Sequence, residues 1–144
     1  ESLERRLARE PQLPPSEACR IACQTARGLS VAHERGLVHR DLKPANLWLD
    51  DKSGLVKILD FGLARAVHED QALTQAGVVT GTPHYLSPEQ ATAAPVGPRS
   101  DLFSLGCLLY RMCTGKVPFP GENLLDSMRS LANTEPVPPH EVGA

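Results

Sequence analysis

At 144 residues the chain has the length of one domain, and 41% hydrophobic with 22% charged residues excludes a disordered polypeptide. Fifteen Lys and Arg against seventeen Asp and Glu give a net charge of −2, without the basic excess of a nucleic-acid or anionic-membrane binder. No apolar run approaches the roughly 18 residues of a membrane span.

The first residue is Glu1 rather than Met. The natural N-terminus is therefore expected to lie upstream, and membrane attachment of a longer parent stays open. Cys19, Cys23, Cys107 and Cys113 do not form a zinc-site spacing. They are expected to be free, mostly buried thiols of a cytoplasmic protein. An oxidisable pair, with Cys19 and Cys23 on one helical face, is the alternative.

In chain order, Leu3 to Arg9 reads as a short charged helix ended by Pro11, with Arg5, Arg6 and Arg9 on a solvated face. Ser16 is a candidate N-cap for a second helix. Ala18, Ile21, Ala22, Thr25, Leu29 and Ala32 recur at helical spacing, and Gly36 stops it. Leu47–Leu49 and Leu55–Leu59 read as two strands joined by turn residues 50–54, a β-hairpin. Residues 60–89 show no sustained periodicity, and an irregular stretch of that length in a compact domain is usually functional or disordered. Ser100 is a candidate cap for a helix whose Leu102, Phe103, Leu105, Leu108, Leu109, Met112 and Cys113 cover most of its circumference, so it is expected to be buried. Gly115 closes that helix, Leu124–Leu131 forms a last short one, and the chain from Pro136 is expected to fray.

The chemistry concentrates in His39-Arg40-Asp41-Leu42-Lys43-Pro44-Ala45-Asn46 and in Asp60-Phe61-Gly62. Asn46 precedes the first strand and Asp60 follows the second. Antiparallel pairing about residue 53 therefore sets them side by side. A carboxylate and an amide oxygen at one edge suit a hard cation such as Mg²⁺. Asp41 and Lys43 enter the same edge, adding a carboxylate for an incoming hydroxyl and an ammonium for phosphate charge.

These motifs, together with Gly81-Thr82-Pro83-His84-Tyr85-Leu86-Ser87-Pro88-Glu89-Gln90, resemble the C-terminal lobe of a eukaryotic-like serine/threonine protein kinase of the bacterial type. The resemblance implies an α+β protein-kinase-like fold, mainly α-helical with a small β-hairpin. It implies ATP and Mg²⁺ as cofactors and a protein with a Ser/Thr acceptor as substrate, with no nucleic-acid partner and no membrane contact from this segment.

Residue by residue, the resemblance gives Asp41 the substrate hydroxyl, Lys43 the γ-phosphate, and Asn46 and Asp60 the Mg²⁺ ions. Thr82 bonds Asp41 and Lys43. His39 and Phe61 belong to a hydrophobic spine, Gly62 permits the backbone turn, and Asp101 accepts backbone N–H groups near His39 and Arg40. Residues 60–89 match the activation segment, where Arg40 would receive a phosphothreonine at Thr74 or, second, Thr80. Trp48 replaces the usual aliphatic residue beneath adenine and either stacks there or fills core. Ser87 stands where Ala is common, and the usual Arg partner of Glu89 would fall after Ala144.

The chain lacks a Gly-rich loop, the strand Lys that pairs with phosphates, and the helix Glu that orients it. It is expected to be a partial domain, from helix D to about helix G. The N-lobe is then needed in cis, and the isolated chain should have little activity. Two other readings stand beside this one: a pseudokinase or truncated remnant acting as a scaffold, and a small-molecule kinase of the aminoglycoside type.

Overall fold

The computed structural model describes residues 1–61 and 83–142. Within them the α+β expectation holds. Five α-helices, α1 (Leu3–Arg9), α2 (Pro15–His33), α3 (Pro88–Ala91), α4 (Pro98–Thr114) and α5 (Leu124–Asn133), accompany a two-stranded sheet of β1 (Leu47–Asp50) and β2 (Leu55–Ile58). Among the described residues no helix is long and apolar enough to cross a membrane.

Both expected serine caps are displaced by an upstream proline. Helix α2 starts at Pro15 with Pro14 at the cap position, and Ala18 N bonds Pro14 O at 3.0 Å. Helix α4 starts at Pro98 with Gly97 at its cap. Proline at the first helical position has φ already set and loses no hydrogen bond there, so these helices begin before Ser16 and Ser100. Helix α4 closes on Gly115 in the left-handed region, at φ 71°. A Cβ there would also stand 3.3 Å from Pro11 O. The α1–α2 link is fastened to the same helix end: Leu13 N donates to Met112 O at 2.8 Å, and Gln12 Nε2 to Cys113 O at 2.7 Å.

The core lies between α2, α4 and the hairpin. Leu3, Leu7, Leu13, Ile21, Leu29, Leu42, Leu47, Leu108 and Met112 are all buried there. Burying such side chains contributes about 1.5–3 kcal/mol each before conformational entropy is charged. Gly28 lets α2 lie against β2, since a Cβ on it would stand 2.9 Å from Ile58 Cδ1. Contrary to expectation, α4 is not buried on every side, because Leu102 is 53% exposed. Contrary to expectation, residues 137–141 are tied down: Tyr110 Oη donates to Val137 O at 2.9 Å and Pro139–Glu141 form a 3₁₀ turn. The arginines of α1 are largely neutralised. Arg6 pairs with Glu10 at 3.0 Å and Glu17 at 3.4 Å, and Arg9 with Glu1 at 2.7 Å.

In the hairpin Leu47 pairs with Ile58 and Asp50 with Leu55, so the turn is the four residues 51–54. Lys57 Nζ, 2.8 Å from Asp50 Oδ2, with further hydrogen bonds from Ser53 and Lys52, holds the Asp50 carboxyl down at about 2.

The cysteines correct the expectation of mostly buried thiols. All four are free, but Cys19 and Cys23 are exposed, Cys113 is half-buried, and Cys107 alone is buried. Burial pushes the Cys107 thiol up to about 12, and raises that of Cys113. A raised thiol pKa leaves less thiolate, the form that alkylates. Iodoacetamide near pH 8 should therefore modify Cys19 and Cys23 in the native protein and reach Cys107 only after denaturation. Peptide mapping that finds Cys107 labelled as fast as Cys19 would contradict this packing.

Candidate active site

The loop between α2 and β1 is held from below by a buried carboxylate. Asp101, in the first turn of α4, is 1% exposed. Its Oδ2 accepts from His39 N at 2.8 Å and from His33 Nε2 at 2.7 Å, and its Oδ1 accepts from Arg40 N at 2.9 Å. Three donors on one carboxylate satisfy a charge that would otherwise be costly to bury, and the helix N-terminus favours it further. The bonds to the His39 and Arg40 amides are those the sequence pointed to. His33, at the end of α2, was not foreseen, since its partner lies 68 residues away.

His39 is fully buried and its ring has a defined tautomer. Nε2 lies 2.8 Å from the Leu59 carbonyl, which can only accept, so Nε2 carries the proton. Nδ1 is then free to accept the Asp41 N–H at 3.3 Å. The ring meets Phe61 edge-on, with centroids 5.0 Å apart and planes at 63°. One imidazole thus joins the Asp41 backbone to the chain leaving β2.

The polar groups converge above this base. Lys43 Nζ lies 2.8 Å from Asp41 Oδ2, with both side chains partly exposed. Asn46 Nδ2 donates to Asp41 O at 2.8 Å and lies 3.4 Å from Asp41 Oδ2. A 3₁₀ turn at Pro44–Asn46 brings the chain round, closed by Asn46 N to Lys43 O at 3.0 Å. Leu59 N donates to Asn46 O at 2.8 Å. The ladder therefore sets Asn46 opposite Leu59, and Asp60 lies one residue beyond the expected side-by-side position. The pairing is centred between residues 52 and 53, because the turn has four residues rather than five.

Backbone strain gathers here. Three described non-glycine residues have positive φ, and two of them are Arg40 at 65° and Asp60 at 52°. Such conformations cost about 1–2 kcal/mol for a residue with a side chain, and persist where surrounding bonds over-determine them. Leu47 and Leu49 point inward, while Trp48 points outward and is 43% exposed. Trp48 therefore does not fill the core.

After the undescribed stretch, Ser87-Pro88-Glu89-Gln90 forms a capping box on α3: Ser87 Oγ accepts from Gln90 N at 3.4 Å and Gln90 Oε1 accepts from Ser87 N at 3.1 Å. Its Ser-x-x-Gln pattern was readable in the sequence. Glu89 has a partner after all. The Ser100 hydroxyl donates to Glu89 Oε1 and holds that carboxyl below its ordinary value. Ser100 is thus a cross-link between α3 and α4 rather than a cap. Gly62, Thr74, Thr80 and Thr82 lie outside the described residues.

Residues 1–139 match the protein kinase domain. This chain belongs to the protein kinase domain family. Serine/threonine-protein kinase PknB of Mycobacterium leprae is 40% identical over 129 residues, covering 90% of this chain and 21% of that protein. A probable serine/threonine-protein kinase PknB of Corynebacterium glutamicum is 42% identical over 128 residues, 88% of this chain and 20% of that protein. Serine/threonine-protein kinase pkn2 of Myxococcus xanthus is 44% identical over 130 residues, 88% of this chain and 16% of that protein. The chain thus spans about a fifth of the length of these relatives. The family generally uses ATP and Mg²⁺.

The residues present fit such an ion. Asn46 spends its amide nitrogen on Asp41, which leaves its carbonyl oxygen as the donor atom, and the exposed Asp60 adds a carboxylate. Among the described residues no group of three His, Cys, Asp or Glu is placed to hold a metal. Mg²⁺ does not need one, since it is commonly bound by one or two protein oxygens with phosphates and water completing its shell.

Proposed function

We propose that this chain is the acceptor-binding and metal-binding part of a bacterial-type serine/threonine protein kinase domain, running from helix D to about helix G. The observation that carries the reading is the convergence of the Asp41 carboxylate, the Lys43 ammonium and the Asn46 amide on one strained loop, with Lys43 and Asp41 at 2.8 Å. Phosphoryl transfer demands positioning and charge stabilisation more than covalent chemistry, and these groups supply both.

In this reading Asp41 accepts a hydrogen bond from the Ser/Thr hydroxyl of a protein substrate and points its oxygen at the γ-phosphate. Lys43 leaves Asp41 to meet the charge developing on the transferred group. Asn46 and Asp60 hold Mg²⁺, which when bound offsets negative charge on the phosphates of ATP. Trp48 offers an exposed ring face to adenine. Thr82 links Asp41 and Lys43, and Thr74, then Thr80, are the phosphorylation sites that Arg40 would read.

An N-lobe in cis covers the nucleotide, so the 144 residues alone have little activity. The complete domain containing this chain should transfer the γ-phosphate of ATP to Ser or Thr of a protein and leave an aminoglycoside unmodified. Phosphoamino-acid analysis checks this. Transfer to the small molecule alone would replace this reading with the other kinase class.

A further inference from the structure

Arg40 sits in the left-handed region, at φ 65°, and the peptide groups on either side of its Cα are each held by a side chain from elsewhere in the fold. Asp101 Oδ1 accepts from its N–H at 2.9 Å. On the other side, Gln90 Nε2 donates to its carbonyl at 2.6 Å. That carbonyl belongs to the planar unit that carries the Asp41 N–H, so its direction sets where Asp41 stands.

The Gln90 amide has one orientation. Its Oε1 accepts from both Ser87 N and Ser87 Oγ, each at 3.1 Å, which leaves Nε2 to face Arg40. Ser87 is itself fully buried, so this anchor does not compete with water.

We propose that Gln90 is a positioning residue for Asp41: it locks the Arg40–Asp41 peptide and couples the segment starting at Ser87 to the carboxylate that receives the acceptor hydroxyl. This rests on the phosphoryl-transfer reading above. The position requires an amide, since it must donate toward Arg40 and accept from Ser87 at once. Ionised glutamate has no proton for a carbonyl, and leucine neither donates nor accepts.

In the complete kinase domain, Gln90→Glu and Gln90→Leu should each lower kcat by roughly 10- to 100-fold with KM for ATP within about threefold, because the acceptor carboxylate is misplaced while nucleotide binding is retained. Amide hydrogen exchange at Arg40 and Asp41 should accelerate at least about tenfold, with Leu108 in α4 unchanged. Undiminished kcat, or unchanged exchange at Asp41, overturns the proposal. So does loss of protection at Leu108 in both variants, which marks a merely structural role. A wild-type domain that transfers no phosphate overturns the functional reading instead, and exchange at Asp41 in the variants still decides the role of Gln90.

Discussion

Asp41→Asn should reduce phosphate transfer by the complete domain roughly 10²- to 10⁴-fold, the range associated with a positioned acid–base group. The physical reason lies in the groups around it. Asp41 Oδ2 faces the Lys43 ammonium at 2.8 Å and the Asn46 amide nitrogen at 3.4 Å, and both can only donate. An asparagine there has one acceptor oxygen for three demands: Lys43, Asn46 and the incoming hydroxyl. If its amide nitrogen turns toward the substrate, the hydroxyl meets a donor and loses its orientation. The backbone should hardly move, because Asn46 Nδ2 also holds the Asp41 carbonyl at 2.8 Å and the Asp41 N–H rests on His39. The loss should therefore appear in kcat, with the melting temperature within a few degrees of wild type.

Asp101→Ala acts on the other side of the same loop and through stability. It leaves His39 N, Arg40 N and His33 Nε2 without their acceptor in a site where the carboxylate was 1% exposed. Leaving a buried donor without an acceptor costs about 1–3 kcal/mol, so the three together should cost at least about 3 kcal/mol. Urea unfolding should show a loss of that size, and a loss below about 1 kcal/mol would mean that water replaces the carboxylate freely. Asp101→Asn should fall between, since it keeps one acceptor oxygen but turns an N–H toward other donors. Both variants should also loosen the left-handed conformation of Arg40, because its N–H donates to Asp101 Oδ1.

The candidate site was legible as a cluster because its polar residues bracket a short hairpin. Asn46 and Asp60 stand at the two open ends of β1 and β2, so pairing the strands was enough to bring them near each other. The register was missed by one residue because turn composition does not reveal whether four or five residues form the loop. The helix starts at Pro15 and Pro98 were misread for a related reason. Serine was credited as a cap on its hydroxyl alone, while the prolines just upstream already supply the required φ.

Links across long sequence separations were least legible. His33 to Asp101 and Gln90 to Arg40 join segments 68 and 50 residues apart, and no local pattern announces either. The Asp101 amide bonds were anticipated only through family resemblance. Burial followed the same division. The inward residues at helical spacing on α2, from Ala18 to Ala32, were placed correctly, whereas the outward directions of Trp48, Leu102, Cys19 and Cys23 depend on which neighbours pack against each face.

In the proposed function Asp41 acts in the transfer step, on a scaffold that binds nucleotide without its help. Single-turnover transfer at saturating Mg·ATP, measured for the wild-type and Asp41→Asn complete domains alongside their ATP affinities, tests it most directly. The Asp41→Asn rate should be lower by roughly 10²- to 10⁴-fold, with ATP affinity unchanged within about threefold. Equal rates, or a loss of ATP binding that matches the loss of rate, would contradict it.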